Sequence, residues 1–273
     1  MSYPIELLVT FDQRYIPPFR TMLRSLLCND PEADVRVWLL HSRIPKPELD
    51  ALAEYCTALG VELEPIQVDL AIFKDAPVMK RYPQEMYYRL LASRFLPESV
   101  ERVLYLDSDI LVLNPVRPLW ELDLQGHVFA AASHSGVINM MNQVNRIRLN
   151  VDHDYYNSGV MLMDLVAARE LVVPEEIFTA VREHGTELIL PDQDVFNFLY
   201  GKQTLPLPDE VWNYDFRYYS AYLLRSEGRC NLDWVIENTV FLHFCGKRKP
   251  WQATAGRFAA LYKHYRHMAS RQP

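Results

Sequence analysis

Apolar positions along the chain switch between two periods. Ile5–Thr10 is a short apolar run, Tyr15–Cys28 places Met22, Leu23, Leu26 and Leu27 on one helical stripe, and Val35–Leu40 is apolar again. This spacing predicts a β-α-β opening. A helix over Pro47–Leu59 and a strand over Val61–Val68 continue the alternation, the pattern of a largely parallel sheet covered by helices. A helix is next predicted over Gln84–Phe95. It is followed by a buried strand at Arg102–Leu106, which runs straight into Asp107-Ser108-Asp109. Beyond Val128 the pattern loosens. Ala130–Ser133 reads as a strand, Gly136–Leu149 as either a helix or a lid-like loop, and Tyr156–Leu165 as a second apolar run. Pro174–Arg182 and Asp192–Leu199 read as amphipathic helices, Trp212–Tyr222 gathers six aromatic residues, and a helix over Phe258–Met268 closes the pattern.

The predicted fold class is therefore α/β, a single domain with a mixed, mostly parallel sheet covered by helices on both faces. No repeat or Gly/Ser linker divides the chain, so residues 1–252 are expected to form the domain and 253–273 a helical tail. A hydrophobic fraction of 49% in 273 residues is enough for one large core. There is no apolar run of about 18 residues, and the start MSYPIELLVTF lacks the basic and apolar regions of a signal peptide, which predicts a cytoplasmic protein. Cys28, Cys56, Cys230 and Cys245 are scattered and are expected to be reduced thiols. The net charge of -7 argues against broad nucleic-acid binding, so any phosphate contact must be local.

The chemistry starts from an absence. There is no glycine-rich phosphate turn of the dinucleotide or P-loop kind, no G-x-S-x-G elbow and no H-E-x-x-H. A nucleotide diphosphate on such a sheet would need a carboxylate-held divalent cation instead. Seventeen aspartates give about one D-x-D by chance, and the chain has three. Asp152-His153-Asp154 reads as a solvated turn. Asp107-Ser108-Asp109 lies between apolar runs at a strand's carboxyl end, where open α/β sheets bind ligands. The residues alone leave a metal site and a structural cap both open there. His243 in FLHFCG is readable as a core histidine or as a ligand; two carboxylates with one imidazole would suit Mn²⁺, and Mg²⁺ after it. Asp192-Gln193-Asp194 follows Pro191 at a helix start, as a cap or as a sugar-binding group. The cationic loop Gly246–Trp251 could bring Lys249 to a phosphate. The aromatics of Trp212–Tyr222 serve as core or as sugar platforms. The last helix, with Lys263, Arg266, His267 and Arg271, packs on the domain or meets an anionic membrane.

Taken together, LYLDSDILV, YYNSGVMLMDL, PDQDVFN and HFCGKRKPW, in this order and spacing, resemble the family 8 glycosyltransferases. Bacterial members of that family include lipopolysaccharide galactosyl- and glucosyltransferases, and glycogenin is a more distant relative. The likeness covers most of the chain. It implies a GT-A fold, a UDP-galactose or UDP-glucose donor, Mn²⁺, a saccharide acceptor and retention of anomeric configuration. By position it implies Asp107, Asp109 and His243 as metal ligands, and Thr10, Asp12 and Tyr15 around uridine. Gly246 and Lys249 would face the diphosphate, and Arg89, Ser108, Asn157, Ser158, Gly159, Asp192 and Gln193 would complete the donor site. Gln193 would lie closest to the anomeric carbon, with Asp192 and Asp194 in the same catalytic group. Two departures stand out. His134 replaces an acidic residue near the sugar, which points to a changed donor preference, and Phe11 occupies a position that is often small. The rival expectations are a silent UDP-sugar-binding module and a metal-dependent UDP-sugar hydrolase or nucleotidyltransferase.

Overall fold

The computed structural model describes residues 4–73, 86–133, 139–185, 188–252 and 256–271. His134 and the predicted acceptor loop around Met79–Pro83 lie outside the described residues. In chain order the elements begin with β1 (Ile5–Thr10), α1 (Ile16–Asn29), β2 (Val35–His41), α2 (Lys46–Ala58), β3 (Glu62–Gln67), α3 (Met86–Leu90), α4 (Ala92–Phe95), β4 (Arg102–Leu106) and β5 (Ile110–Val112). There follow α5 (Arg117–Trp120), β6 (Phe129–Ser133), α6 (Asn139–Leu149), β7 (Tyr156–Asp164), α7 (Leu165–Leu171), α8 (Pro174–His184), α9 (Pro191–Tyr200) and β8 (Thr204–Pro208). The last are α10 (Asp209–Trp212), β9 (Tyr214–Asp215), α11 (Tyr219–Arg225), α12 (Leu232–Asn238), β10 (Phe241–His243) and α13 (Ala259–Ser270).

Seven strands form the main sheet in the order β3-β2-β1-β4-β7-β6-β8. Every pairing is parallel except those of β7, which runs antiparallel to β4 and β6. Strand periodicity divides the core between the two faces. Leu8, Tyr105, Met161 and Met163 pack with residues of α3, α7, α8 and α9 on one side, while Leu7, Val9, Leu104, Leu106 and Leu162 meet α1 and α2 on the other. The predicted helix at Gln84–Phe95 is broken at Leu91 into α3 and α4. Tyr87, Tyr88, Leu90, Leu91 and Ala92 are all buried, and one straight helix cannot turn so many consecutive side chains to a single face.

The reversal of β7 places the site. Because β7 is antiparallel to β4, its first residues lie at the carboxyl edge of β4, and the Asp107 amide donates to Gly159 O at 2.8 Å. A second sheet, β5-β10-β9, grows from the same edge; it sets His243 opposite Ile110, one residue from Asp109, and beside Asp215. Leu111, Tyr214, Tyr222, Leu242, Phe244 and Tyr262 form a third apolar core behind it. The aromatics of Trp212–Tyr222 thus include core residues. α13 packs on α1 through Tyr262, Tyr265 and Ala269; Asn29 donates to the Tyr265 hydroxyl at 2.7 Å, and Arg20 to Ala269 O at 3.2 Å.

Candidate active site

Asp107 and Asp109 sit on the turn that leaves β4, and β10 returns from the far end of the chain to place His243 between them. One ligand atom from each of the three lies within 4.8 Å of the other two. His243 Nε2 is 3.6 Å from Asp107 Oδ2 and 3.3 Å from Asp109 Oδ1. Two carboxylates and an imidazole are a donor set for a divalent cation with borderline or hard preferences. Gly159 is an independent constraint on this arrangement. A Cβ there would overlap His243 Cε1 and come within 2.8 Å of Asp107 Oδ2, so any side chain at 159 would displace two of the three. These residues fit a bound divalent cation.

The nitrogen that His243 offers is fixed by a chain of hydrogen bonds that starts at a backbone amide. Gly159 N–H can only donate, and it donates to Asn157 Oδ1 at 2.8 Å. Asn213 Nδ2 donates to that same oxygen at 2.9 Å, which turns Asn213 Oδ1 toward His243 Nδ1, 2.8 Å away. Nδ1 must therefore carry a proton, and Nε2 is the atom aimed at the carboxylates. Asn213 is buried at 1% exposure, which shields these bonds from bulk solvent.

Cations balance the acidic pair. Arg89 lies 2.9 Å from Asp107 Oδ1 and 3.3 Å from Asp192 Oδ2, donates to Ser158 O at 3.2 Å, and stacks its guanidinium 4.6 Å from the Tyr105 ring centre. The Tyr105 hydroxyl in turn donates to Asp107 Oδ1 at 2.6 Å. Lys249 donates to Asp109 and, at 3.1 Å, to Phe244 O. Burial opposes the charge on Asp109, yet His243 and Lys249 outweigh it and hold the carboxyl well below its usual range. Burial pushes Asp107 up, partly countered by Arg89 and reinforced by Asp109.

These groups open into a cavity of about 370 Å³. Of the residues expected at the site, Asp107, Asp109, His243, Arg89, Asn157, Ser158 and Gly159 line it, as do Asp192, Gln193, Gly246 and Lys249. Thr10, Asp12, Tyr15, Ser108 and Asp194 do not line it. Asp12 caps the turn at 13–15 and pairs with Arg14, and Tyr15 meets the Trp251 ring edge-on at 5.9 Å. The Ser108 hydroxyl is buried without a hydrogen-bond partner among the described residues. Asp194 is fully buried. It accepts from Arg148 at 2.9 and 2.7 Å, from the Tyr155 hydroxyl at 2.5 Å, and from the amides of Ile189 and Leu190 at 2.6 and 2.9 Å. It is thus a buried anchor for the start of α9, against the expectation that groups it with Gln193. The physical reason is helical phase: residues two apart on a helix face nearly opposite ways, so Asp192 and Asp194 cannot share the cavity wall.

Sequence reasoning missed Asn145, Tyr155, Arg217 and Cys245 on the wall, and Asn213 behind it, while Tyr218, from the aromatic run read as core or sugar platform, also lines the wall. Asn213 carried a usable signal, a lone amide between Trp212 and Tyr214 in an aromatic run. Asn145 and Arg217 carried none.

The structure of the galactosyltransferase LgtC in complex with donor and acceptor sugar analogs matches with a TM-score of 0.82 at 19% identity, over 98% of each chain. The architecture is thus that of the GT-A glycosyltransferases. Residues 6–255 match the model of glycosyl transferase family 8, and the chain belongs to that family. General stress protein A of Bacillus subtilis (strain 168) is 29% identical over 263 residues, covering 93% of this chain and 90% of its own length. The lipopolysaccharide 1,2-glucosyltransferase of Escherichia coli is 22% identical over 258 residues, covering 92% and 74%.

Proposed function

We propose that this glycosyltransferase moves a hexose from UDP-galactose or UDP-glucose to a hydroxyl of a saccharide acceptor, with retention at the anomeric carbon, in the synthesis of a surface glycan. The observation that carries the reading is the Asp107, Asp109 and His243 trio opening into one cavity with Arg89, Asp192, Gln193 and Lys249. The trio would hold Mn²⁺, with Mg²⁺ the weaker substitute, and the bound ion would supply Lewis-acid charge to the diphosphate.

The chain's own residues supply the rest. Lys249, held by Asp109 and Phe244 O, presents its ammonium to the leaving diphosphate from the Gly246 side, while Thr10, Asp12 and Tyr15 mark the uridine end. Arg89 holds Asp192 and the Ser158 carbonyl in place, so that Asp192, Asn157 and Ser158 can meet sugar hydroxyls around the Gln193 amide. The acceptor hydroxyl enters on the face from which UDP departs. Its oxygen forms the new bond to the anomeric carbon as the bond to UDP breaks, and its proton passes to the departing diphosphate. The commitment of Asp194 to five donors supports this route over a nucleophile at that position. The exposed Lys263, Arg266 and His267 on α13 fit peripheral contact with an anionic cytoplasmic membrane face. Among the described residues no helix is long and apolar enough to cross a membrane.

The test is UDP release from a panel of UDP-sugars with Mn²⁺, Mg²⁺ or EDTA, in the wild type and Asp107→Ala. Slow donor hydrolysis that needs Mn²⁺ and is abolished by the substitution is expected. Release of UMP instead of UDP would favour a nucleotidyltransferase, and failure to bind any UDP-sugar would sink the reading.

A further inference from the structure

A second cavity, of about 400 Å³, adjoins the donor cavity behind the loop after β10. Its wall carries Arg217, Lys247, Arg248 and Lys249 over an apolar floor that includes Phe216 and Phe244, and no acidic residue is among its lining residues. Four cations without one carboxylate stand out in a chain of net charge -7. Lys249 turns toward the donor side, where it is bonded to Asp109. Lys247 and Arg248 are exposed, with no ion pair to any described residue.

Arg217 stands on the wall between the two cavities and lines both. Its direction is set from behind. The buried Asp215 carboxylate accepts from Arg217 Nε at 2.9 Å, from Nη2 at 2.6 Å and from the Arg217 amide at 3.0 Å. That grip occupies one edge of the guanidinium and leaves Nη1 turned toward Gly246. Gly246 has φ of +84°, and a Cβ there would come within 2.9 Å of Nη1. A planar fork held by a buried carboxylate on one edge, with its side chain 46% exposed, is a preorganised donor for a second anion.

We propose that this second cavity receives the acceptor, and that it is built for a saccharide bearing a phosphate or carboxylate group, which the free edge of Arg217 reads with Lys247 and Arg248 beside it. The assignment rests on the glycosyltransferase reading above. A neutral acceptor would leave Lys247 and Arg248 facing the cavity without a counter-charge, whereas an anionic one engages them and Arg217 together.

The donor's diphosphate offers the same chemistry, so the experiment separates the two sources. Inorganic phosphate is titrated by calorimetry into enzyme saturated with UDP and Mg²⁺, with UDP saturation verified for each variant. Saturable phosphate binding alongside UDP is expected, weakened at least about tenfold in Arg217→Gln, the loss of one charge-assisted hydrogen-bonding edge. The double variant Lys247→Gln/Arg248→Gln alters only exposed side chains and should weaken it as well, which keeps the test sound if Arg217→Gln misfolds. Phosphate that binds only when UDP is absent would assign these cations to the donor and overturn the proposal. So would saturable binding that neither variant changes, or no binding to the UDP-loaded enzyme. Failure to bind UDP at all counts against the glycosyltransferase reading instead, a separate result.

Discussion

Gly159 is one of two glycines on the cavity wall and the one pressed against the Asp107 and His243 side chains. Its missing Cβ is the hollow between His243, Asp107 and Asn157, and none of these can retreat without breaking the hydrogen bonds that aim it. Gly159→Ala is expected to fold, as shown by an unchanged far-UV spectrum, and to bind Mn²⁺ about 10–100-fold more weakly, read from free Mn²⁺ by electron paramagnetic resonance. Wild-type Mn²⁺ affinity in this variant would mean that the cation sits elsewhere. The residue scale also shows what a sequence can disclose. Asp107 and Asp109 were legible because a charged pair between two apolar runs is costly unless something holds it. Asn213 matters as much to the geometry but looks like any amide in a loop, because its role exists only through contacts 30 and 56 residues away along the chain.

Among the elements, α9 was legible as a helix over Asp192–Leu199, within one residue of its observed bounds at each end, yet its two acidic residues do different jobs. Asp192 faces the cavity and Arg89, whereas Asp194 closes the helix start against α6 and the Ile189 and Leu190 amides. Removing Asp194 takes from Arg148, 16% exposed, the buried carboxylate that accepts from both of its terminal nitrogens, and takes from the Ile189 and Leu190 amides the oxygen they donate to. Asp194→Ala should therefore cost about 3–5 kcal/mol in a urea titration, and a stability within error of wild type would contradict the anchoring role. The direction of β7 was beyond reach for a different reason. An apolar run reads the same in a parallel or an antiparallel pairing, and the reversal that carries Asn157–Gly159 to the Asp107 edge is decided by tertiary packing alone. The opening β-α-β was plain because both periods are clean there and successive parallel strands require a crossover.

For the molecule as a whole, pH acts through buried groups remote from the site. His41 ends β2 at 4% exposure, and its Nδ1 accepts from the Ile44 amide at 3.4 Å, a role open only to a neutral ring. Burial lowers its pKa below the ordinary 6.5. The unfolded chain thus takes the proton first on acidification. The stabilisation is complete above pH 6.5 and is lost as pH falls through the lowered folded value. His41→Gln is expected to flatten the acid-side fall in urea midpoint, by at most about 1.4 kcal/mol per pH unit; parallel pH profiles for the two proteins would refute this.

The order in which the chain is made gives the site one further property. All seven strands of the main sheet lie before residue 209, while the third member of the trio that could hold a metal ion arrives only with β10. A nascent chain can close its large sheet, bury both of its main faces and present Asp107 and Asp109, yet lack the imidazole that completes the trio. The trio is therefore complete only late in synthesis, after most of the fold can have formed.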